Sequence, residues 1–416
     1  MKNQIIAVFF GMLVQTVIAQ ELNVGVELRP RYEFRNGFKT LSDHAQDPAS
    51  FVSQRSRLDF AFSYDNLKLV VRVQDIRIWG DVATDQSHSH NGLAVFEGYA
   101  QYNLDSVWSF KVGRQVLSYD NERILGEVNW AQQGRSHDAF MVSVTPNSKH
   151  RLEVGGSVSS NAETLTQTAY LINNYKNMQL VWYQYRLGTS KLSALFLNNG
   201  FEFERQEQNP KTQYMQTFGT FYNLNTGKWN VELSAYAQTG KRNDAEVSAW
   251  NGSASFHYLP TDNWQIGIGG EYLSGSSDMD GANGKNKSFN PLFGTNHKFN
   301  GFMDYFYVGN HANSVGLVDV YANFKFSKNK WNFEVSPHFF SSAAAVFNGN
   351  QKMDDYLGTE IDFVATCKLQ KYISANLGYS QMFGSNSMEV LKGGNANKTQ
   401  NWVWAMVTVK PEMFKL

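Results

Sequence analysis

Short polar turns and long loops take turns along this chain, and the segments between them alternate apolar and polar side chains with a period of two. The short turns include Tyr64-Asp65-Asn66-Leu67, Asp105-Ser106, Pro146-Asn147-Ser148, Asn225-Thr226-Gly227 and Lys328-Asn329-Lys330. A period of two sends successive side chains to opposite faces of a strand. Short and long connections alternate when antiparallel strands run up and down a closed wall whose two rims differ. The expected fold is therefore all-β: a single antiparallel up-and-down transmembrane β-barrel with its tight turns in the periplasm. Eighteen segments fit, from 22–35 to 401–413, and an even count returns both termini to the periplasmic rim.

The first residues agree with that compartment. Lys2 supplies a positive start, Ile5 to Val14 an apolar stretch, and Val17-Ile18-Ala19 a small-residue cleavage site. Residues 1–19 read as a signal peptide and 20–416 as the outer-membrane barrel. No cysteine follows the cleavage site, which argues against a lipoprotein, and Cys367, the only cysteine, has no partner for an intramolecular disulfide. Beyond the leader no run of roughly 18 apolar residues occurs, so no helix can span hydrocarbon. Yet 42% of residues are hydrophobic and 14% aromatic, with 8 prolines in 416 positions. Such a chain fits strands that show apolar residues to lipid and polar ones to a lumen, with a soluble β-sandwich repeat as the competing reading. Without Lys2 the chain carries 36 basic and 37 acidic residues, so net charge points to no partner and nucleic acid is not expected.

Register is clearest in the first strand. Leu22, Val24, Val26, Leu28, Pro30, Tyr32 and Phe34 share one face, and Glu27, Arg29, Arg31, Glu33 and Arg35 the other. A cation facing lipid at mid-bilayer costs about 2–4 kcal/mol, so the charged face must be the lumen. In the second segment Arg55, Arg57 and Asp59 point inward; in the third, Lys68 and Arg72 do, and a phase slip at Gln74-Asp75 reads as a β-bulge turning Asp75 and Arg77 inward. Ten of the 14 arginines fall between Arg29 and Arg135. The first three strands thus form a basic wall, with eight cations against Glu27, Glu33, Asp59 and Asp75. Strands eleven to sixteen turn Glu232, Glu271, Asp319, Glu334, Glu360 and Asp362 inward with only Lys325 and Lys368. Opposed walls of this kind would orient polar solutes and favour anions along one side; a salt-bridge lattice bracing the wall is the alternative. Trp108, Trp229, Trp264 and Trp331 each follow a short turn closely, as expected of an interfacial girdle.

Several blocks resemble the alginate export family. They are Glu27-Leu28-Arg29-Pro30-Arg31-Tyr32-Glu33, Gln74-Asp75-Ile76-Arg77-Ile78-Trp79-Gly80-Asp81, and Lys111-Val112-Gly113-Arg114-Gln115 with the Tyr119-Asp120, Arg123-Ile124-Leu125-Gly126, Trp130 to Ser136 and His137-Asp138-Ala139 motifs. The block from Phe289 to Phe299 and Met303-Asp304-Tyr305-Phe306 extends the likeness over nearly the whole mature chain. The resemblance implies an 18-stranded monomeric barrel whose arginine- and lysine-lined, anion-selective constriction passes a uronic acid polymer. By motif match it makes Arg77, Arg114, Arg123 and Arg135 pore-lining or loop-anchoring cations, with Asp75, Asp120 and Asp138 as their orienting partners. The acidic wall departs from what a strongly electropositive conduit needs.

Two loops offer constrictions. The longest, roughly 275–314, carries Phe289, Phe293, Phe299, Phe302 and Phe306, which need burial and so predict a loop folded over or into the barrel mouth. Its Asp278, Asp280, Asn283 and Asn286 faintly echo a calcium loop, but no glutamate closes the twelve-residue spacing, and no metal site is assigned. The loop 118–135 is the second candidate. Histidines 88 and 90 lie near Asp85 in a solvated loop. Catalytic motifs are absent: there is no G-x-S-x-G, H-E-x-x-H, phosphate-binding loop or cysteine pair, so no enzyme and no cofactor is expected. The expected partners are the bilayer, lipopolysaccharide, and anionic oligo- or polysaccharide or small solutes. The readings are a channel for acidic polysaccharide, a passive porin for small anionic or sugar solutes, and a structural or adhesive barrel.

Overall fold

The computed structural model describes residues 20–43, 47–84, 92–170, 172–203, 210–277, 280–281 and 283–415. The expected leader, residues 85, 88 and 90, and Asp278 lie outside them. Eighteen strands form the wall: β1 (Gln20–Asn36), β2 (Ala49–Tyr64), β3 (Leu67–Ile78), β4 (Ala94–Asn103), β5 (Trp108–Gln115), β6 (His137–Asn147), β7 (His150–Val158), β8 (Asn177–Leu187), β9 (Ser190–Phe203), β10 (Lys211–Asn225), β11 (Trp229–Arg242), β12 (Ala245–Thr261), β13 (Trp264–Leu273), β14 (Leu317–Lys328), β15 (Trp331–Ser341), β16 (Tyr356–Gln370), β17 (Ile373–Gly384) and β18 (Gln400–Val409). Each pairs antiparallel with the next. Closure comes from β1, which pairs with β2 on one side and with β18 on the other, Arg31 opposite Met406 and Arg35 opposite Trp402. After Lys410-Pro411 the chain resumes as Glu412–Lys415, still paired with β1.

The eighteen predicted segments match these strands one for one, and their ends agree within three residues except at the end of β18. Alternating exposure confirms the register. Leu28, Tyr32, Phe60, Leu69 and Val71 are exposed on the outer face, while Glu27, Arg29, Arg31, Arg55 and Arg57 are buried within. Trp108, Trp229, Trp264 and Trp331 are each 42–49% exposed at the short-turn rim, forming the expected belt.

Two expectations fail locally. The β2–β3 ladder runs unbroken from Ser53 opposite Ile78 to Tyr64 opposite Leu67, so β3 has no bulge against β2. The irregularity sits across the other edge, where Arg72 faces Glu97 and Val73 faces Val95, leaving Phe96 as the extra residue of β4. A one-residue slip changes the face of every side chain beyond it. Because β3 keeps phase, Asp75 and Arg77 stay on the outer face. The second failure lies between β11 and β12, where the connection at the long-loop rim is only Asn243-Asp244. Both residues have positive φ, 49° and 63°, the conformation of a two-residue hairpin turn, so both strands extend past the expected rim.

The remaining connections at that rim are longer. L3 denotes residues 116–136, L7 residues 274–316, and α1 the helix Asn386–Lys392 in the loop before β18. L7 contributes Lys285–Asn286, which pairs in parallel with β12 at Glu246 and Val247, and a 3-10 turn at Asn296–Lys298.

Candidate pore and its loop plug

L3 and L7 fold into the lumen, and the two charged walls hold them there. On the basic wall, Arg29 donates to the carbonyl of Asn129 (2.8 Å), to those of Trp130 and Ala131, and to Gln132 Oε1 (3.1 and 3.0 Å). Arg31 donates to the Trp130 carbonyl (2.8 Å) and lies 4.2 Å over the Trp130 ring, with Glu33 as its ionic partner at 3.0 Å. Arg55 pairs with Glu27 and donates to Asn129 Oδ1, while Arg57 and Gln74 both donate to the Gln133 carbonyl. L3 presents its 129–133 carbonyls to five inward guanidinium or amide groups, those of Arg29, Arg31, Arg55, Arg57 and Gln74, because an arginine offers five donors and no acceptor. Trp130 is then gripped from above and the side, stacked on His297 of L7 at 4.5 Å and edge-on to Trp402 and Trp404 of β18.

The acidic wall supplies the complementary chemistry. Glu360 accepts the Met303 backbone N–H at 2.7 Å and Asp362 accepts that of Phe302 at 3.3 Å, so carboxylates receive L7 donors. Asp319 contacts His338 at 3.0 Å and accepts from Asn300 at 3.2 Å. Arg123, 1% exposed, reaches from L3 across to β13: its Nε lies 2.7 Å from Glu271 Oε1, its Nη2 donates to Asn300 Oδ1 at 2.9 Å, and Phe299 covers it at 4.5 Å. The Glu271 contact is a charge contact by distance; the Nε–H does not point along a hydrogen bond.

Between the walls the loops join each other. Gly126 N donates to Phe293 O and Phe293 N to Ile124 O, both at 3.0 Å, making a short parallel bridge. Thr295 N donates to Glu122 O, Val128 N to Thr295 Oγ1 and Arg135 Nη1 to Gly294 O, each at 3.0 Å. Ile124, Leu125, Phe289, Met303, Tyr305 and Phe306 are at most 2% exposed and fill mid-barrel with an apolar core. Both candidate constrictions are therefore parts of one plug.

The sequence-predicted residues divide accordingly. Arg29, Arg31, Arg55 and Arg57 anchor L3; Arg35 pairs with Glu33 at 2.8 Å, and Arg72 bridges Asp59 (2.6 Å) and Glu97 (2.7 Å). Arg123 and Arg135 are loop anchors. Asp75 and Asp138 do partner Arg77 (2.7 Å) and Arg114 (2.9 Å), but both ion pairs lie on the outer face near the long-loop rim, so none of these four residues lines the pore. Arg114 alternates with inward Lys111 and Gln115 and stands on the face of exposed Val112, as Asp138 stands on the face of exposed Phe140. Among the described residues Asp120 has no cationic partner; it accepts from Trp182 Nε1 (3.2 Å) and Ser193 Oγ, and burial pushes its carboxyl above the usual range. Losing one cation and one acid from the basic wall leaves its excess of four unchanged. Within the calcium-like stretch Asp280 takes Lys287 Nζ at 2.7 Å.

A vestibule of about 1010 Å³ opens below the plug toward the short-turn rim. Lys111, Lys149, Arg151, Arg186 and Lys191 line it against Asp120, Glu153 and Glu232, five cations to three carboxylates. Sequence reading missed this cluster because its members are scattered over four strands and a turn. Strand parity would have found it, as Lys111 alternates with Phe110 and Val112. A second cavity of about 600 Å³ lies above the plug and shares no lining residue with the first.

The model of the alginate export family matches residues 20–398. The chain belongs to the alginate export family. Similar solved structures come from Pseudomonas aeruginosa: OccK11 (OpdR), with 10% identity, a TM-score of 0.63, and coverage of 94% of this chain and 96% of that one; and the outer membrane protein OpdK, with 11% identity, a TM-score of 0.62, and coverage of 94% and 98%. OpdK with vanillate gives 12% identity, a TM-score of 0.61, and coverage of 94% and 98%. No curated protein matches the sequence. Family and fold together make this member a porin-like transport channel of the bacterial outer membrane.

Proposed function

We propose that this family member is a gated channel for anionic solutes, acidic saccharides above all, with its short-turn rim in the periplasm. The cationic excess of the lower vestibule carries this reading. Low-dielectric walls lined by one sign of charge raise the local concentration of the opposite ion. The charged walls at mid-barrel add little to selectivity, because their groups are engaged by loop carbonyls, loop N–H groups and each other. OpdK has been crystallised with vanillate, a small carboxylate, but that likeness concerns fold; the charge argument rests on this chain's own side chains.

A second reading, a passive path for small anionic or sugar solutes, is favoured by the plug, since a polymer needs both loops displaced. Planar bilayers separate these possibilities. Under a salt gradient the wild type should show an anion-selective reversal potential, and Lys111→Gln with Arg151→Gln and Arg186→Gln should move it toward cations. An unchanged potential in the triple variant refutes the vestibule as the selective element. Current block by oligouronates but not by uronate monomers supports the polymer path; the reverse supports the small-solute path.

A further inference from the structure

The outer face of β5 to β10 turns polar at a depth where the opposite wall is still apolar. On β13 the outward residues from Trp264 are Ile266, Ile268, Gly270 and Tyr272, and on β15 those from Trp331 are Phe333, Val335, Pro337 and Phe339. A tilted strand climbs about 2.6 Å per residue along the membrane normal, so eight residues keep this side apolar through about 21 Å of a band about 25 Å tall. On β5 the outward run from Trp108 through Phe110 and Val112 ends at Arg114, six residues and about 16 Å up. Asp138 stands beside Arg114, and Gln179, Asn198 and Gln216 stand six residues above Tyr185, Leu192 and Tyr222, which pair across their strands in turn. Five polar side chains thus occupy a depth that β13 and β15 give to hydrocarbon.

These groups follow one line around the wall. Val112 pairs with Phe140, Phe140 with Gly156, Gly156 with Gln179, Gln179 with Asn198 and Asn198 with Gln216, so six strands set one outward row side by side. At one end, a step above the row, Arg114 and Asp138 meet at 2.9 Å with side chains 42% and 70% exposed. At the other end the amides form a ladder. Gln216 Nε2 donates to Asn198 Oδ1 at 2.7 Å, Asn198 Nδ2 to Gln179 Oε1, and Gln179 Nε2 to Asn177 Oδ1 at 3.2 Å. Each amide nitrogen carries two N–H bonds, and the ladder uses one of them. Between the two ends Gly156 has no side chain, and with Val112, Asp138, Phe140, Val158 and Gln179 it leaves an outward groove of about 520 Å³.

Lipid tails can neither accept the second N–H of each amide nor answer the charges, and polar groups without partners in an apolar medium are costly. A second copy of the chain can do both. Two copies insert the same way up, so a two-fold axis relating them runs along the membrane normal, and when it passes the groove it sets β5–β6 of one copy against β9–β10 of the other. Arg114 then meets amide oxygens and Asp138 meets amide N–H groups, twice over, and the missing side chain at Gly156 lets the walls approach at the axis. We propose that the outer face of β5 to β10 is the interface of a two-fold homodimer of this chain. The family resemblance implies a single barrel, and this face is where the chain departs from it. The dimer is independent of what the pore selects, because it concerns the wall and not the lumen.

The test is cross-linking of single cysteines in intact outer membranes, with the buried Cys367 first replaced by serine. Val158→Cys, 82% exposed beside the axis, should give a dimer band with a short bis-maleimide, and Phe339→Cys, 53% exposed on the opposite wall, at least tenfold less. In the Val158→Cys chain, Arg114→Glu with Gln216→Glu sets like charges across both halves of the interface and should cut the dimer yield at least tenfold. Arg114→Glu with Gln216→Lys sets opposite charges there and should restore it. No dimer band from Val158→Cys means that lipid covers this face and overturns the proposal. Equal yield from Phe339→Cys, or equal yield in both charge variants, overturns it as well. Heat-modifiable mobility on a gel shows that each variant is folded.

Discussion

Arg123 is the point at which L3 is tied to the acidic wall, and its removal has a calculable consequence. The side chain is 1% exposed and its partner Glu271 7%, so Arg123→Met leaves a buried carboxylate without its cation. Breaking a buried pair from one side costs about 3–5 kcal/mol. The lower end applies because the Nε contact is not an aligned hydrogen bond and Asn300 still donates to Glu271 Oε2 at 3.0 Å. The ladders of β13 with β12 and β14 are made of backbone pairs that do not involve Arg123, so the cost falls on the packed state of the plug. About 3 kcal/mol shifts the packed-to-released ratio by about 100-fold. Single-channel recording should therefore show Arg123→Met with an open probability raised by up to two decades. Adding Glu271→Met removes the stranded charge; since a buried pair can be replaced by apolar groups at little cost, the double variant should close again. Equal open probability in wild type and Arg123→Met refutes the plug, and a double variant as open as the single refutes the charge argument.

Two further outcomes follow from the same geometry. A Cβ at Gly294 would collide with the Arg123 backbone carbonyl, so Gly294→Ala should pry L7 from L3 at a cost of about 1–3 kcal/mol and raise open probability about tenfold, read in the same recordings. Lys392, at the end of α1, stands 5.3 Å over the Phe306 ring, and burial pushes its ammonium down to about 7. The released loop would restore the ordinary value near 10.5, so protonation favours release: packing should tighten as pH rises from about 7 toward 10.5 and change little below 7. Tryptic cleavage at Lys298 reports it, and Lys392→Met should abolish the pH dependence.

The strand count, the outward and inward faces of β1 and β2, and the tryptophan belt were legible in the sequence, because a period of two and the cost of a charge in lipid act residue by residue. So was the burial of Phe289 and Phe306 of L7, while Phe293 and Phe302 are partly buried against the same core. Register beyond an irregularity was not legible. Reading along β3 alone suggested a bulge, but the extra residue is Phe96 on the neighbouring strand, and only pairing reveals which of two strands carries it. Asp75 and Arg77 consequently lie outside, and Arg114 with Asp138 likewise. The purpose of the charged walls also needed the tertiary structure. Sequence parity placed arginines on one side and carboxylates on the other and suggested a field across an open lumen. Folding brings L3 and L7 between them, so guanidiniums meet carbonyls and carboxylates meet N–H groups. What these charges bind depends on segments roughly 100 residues away, as from Arg29 to Asn129, and no local pattern encodes a contact over that separation.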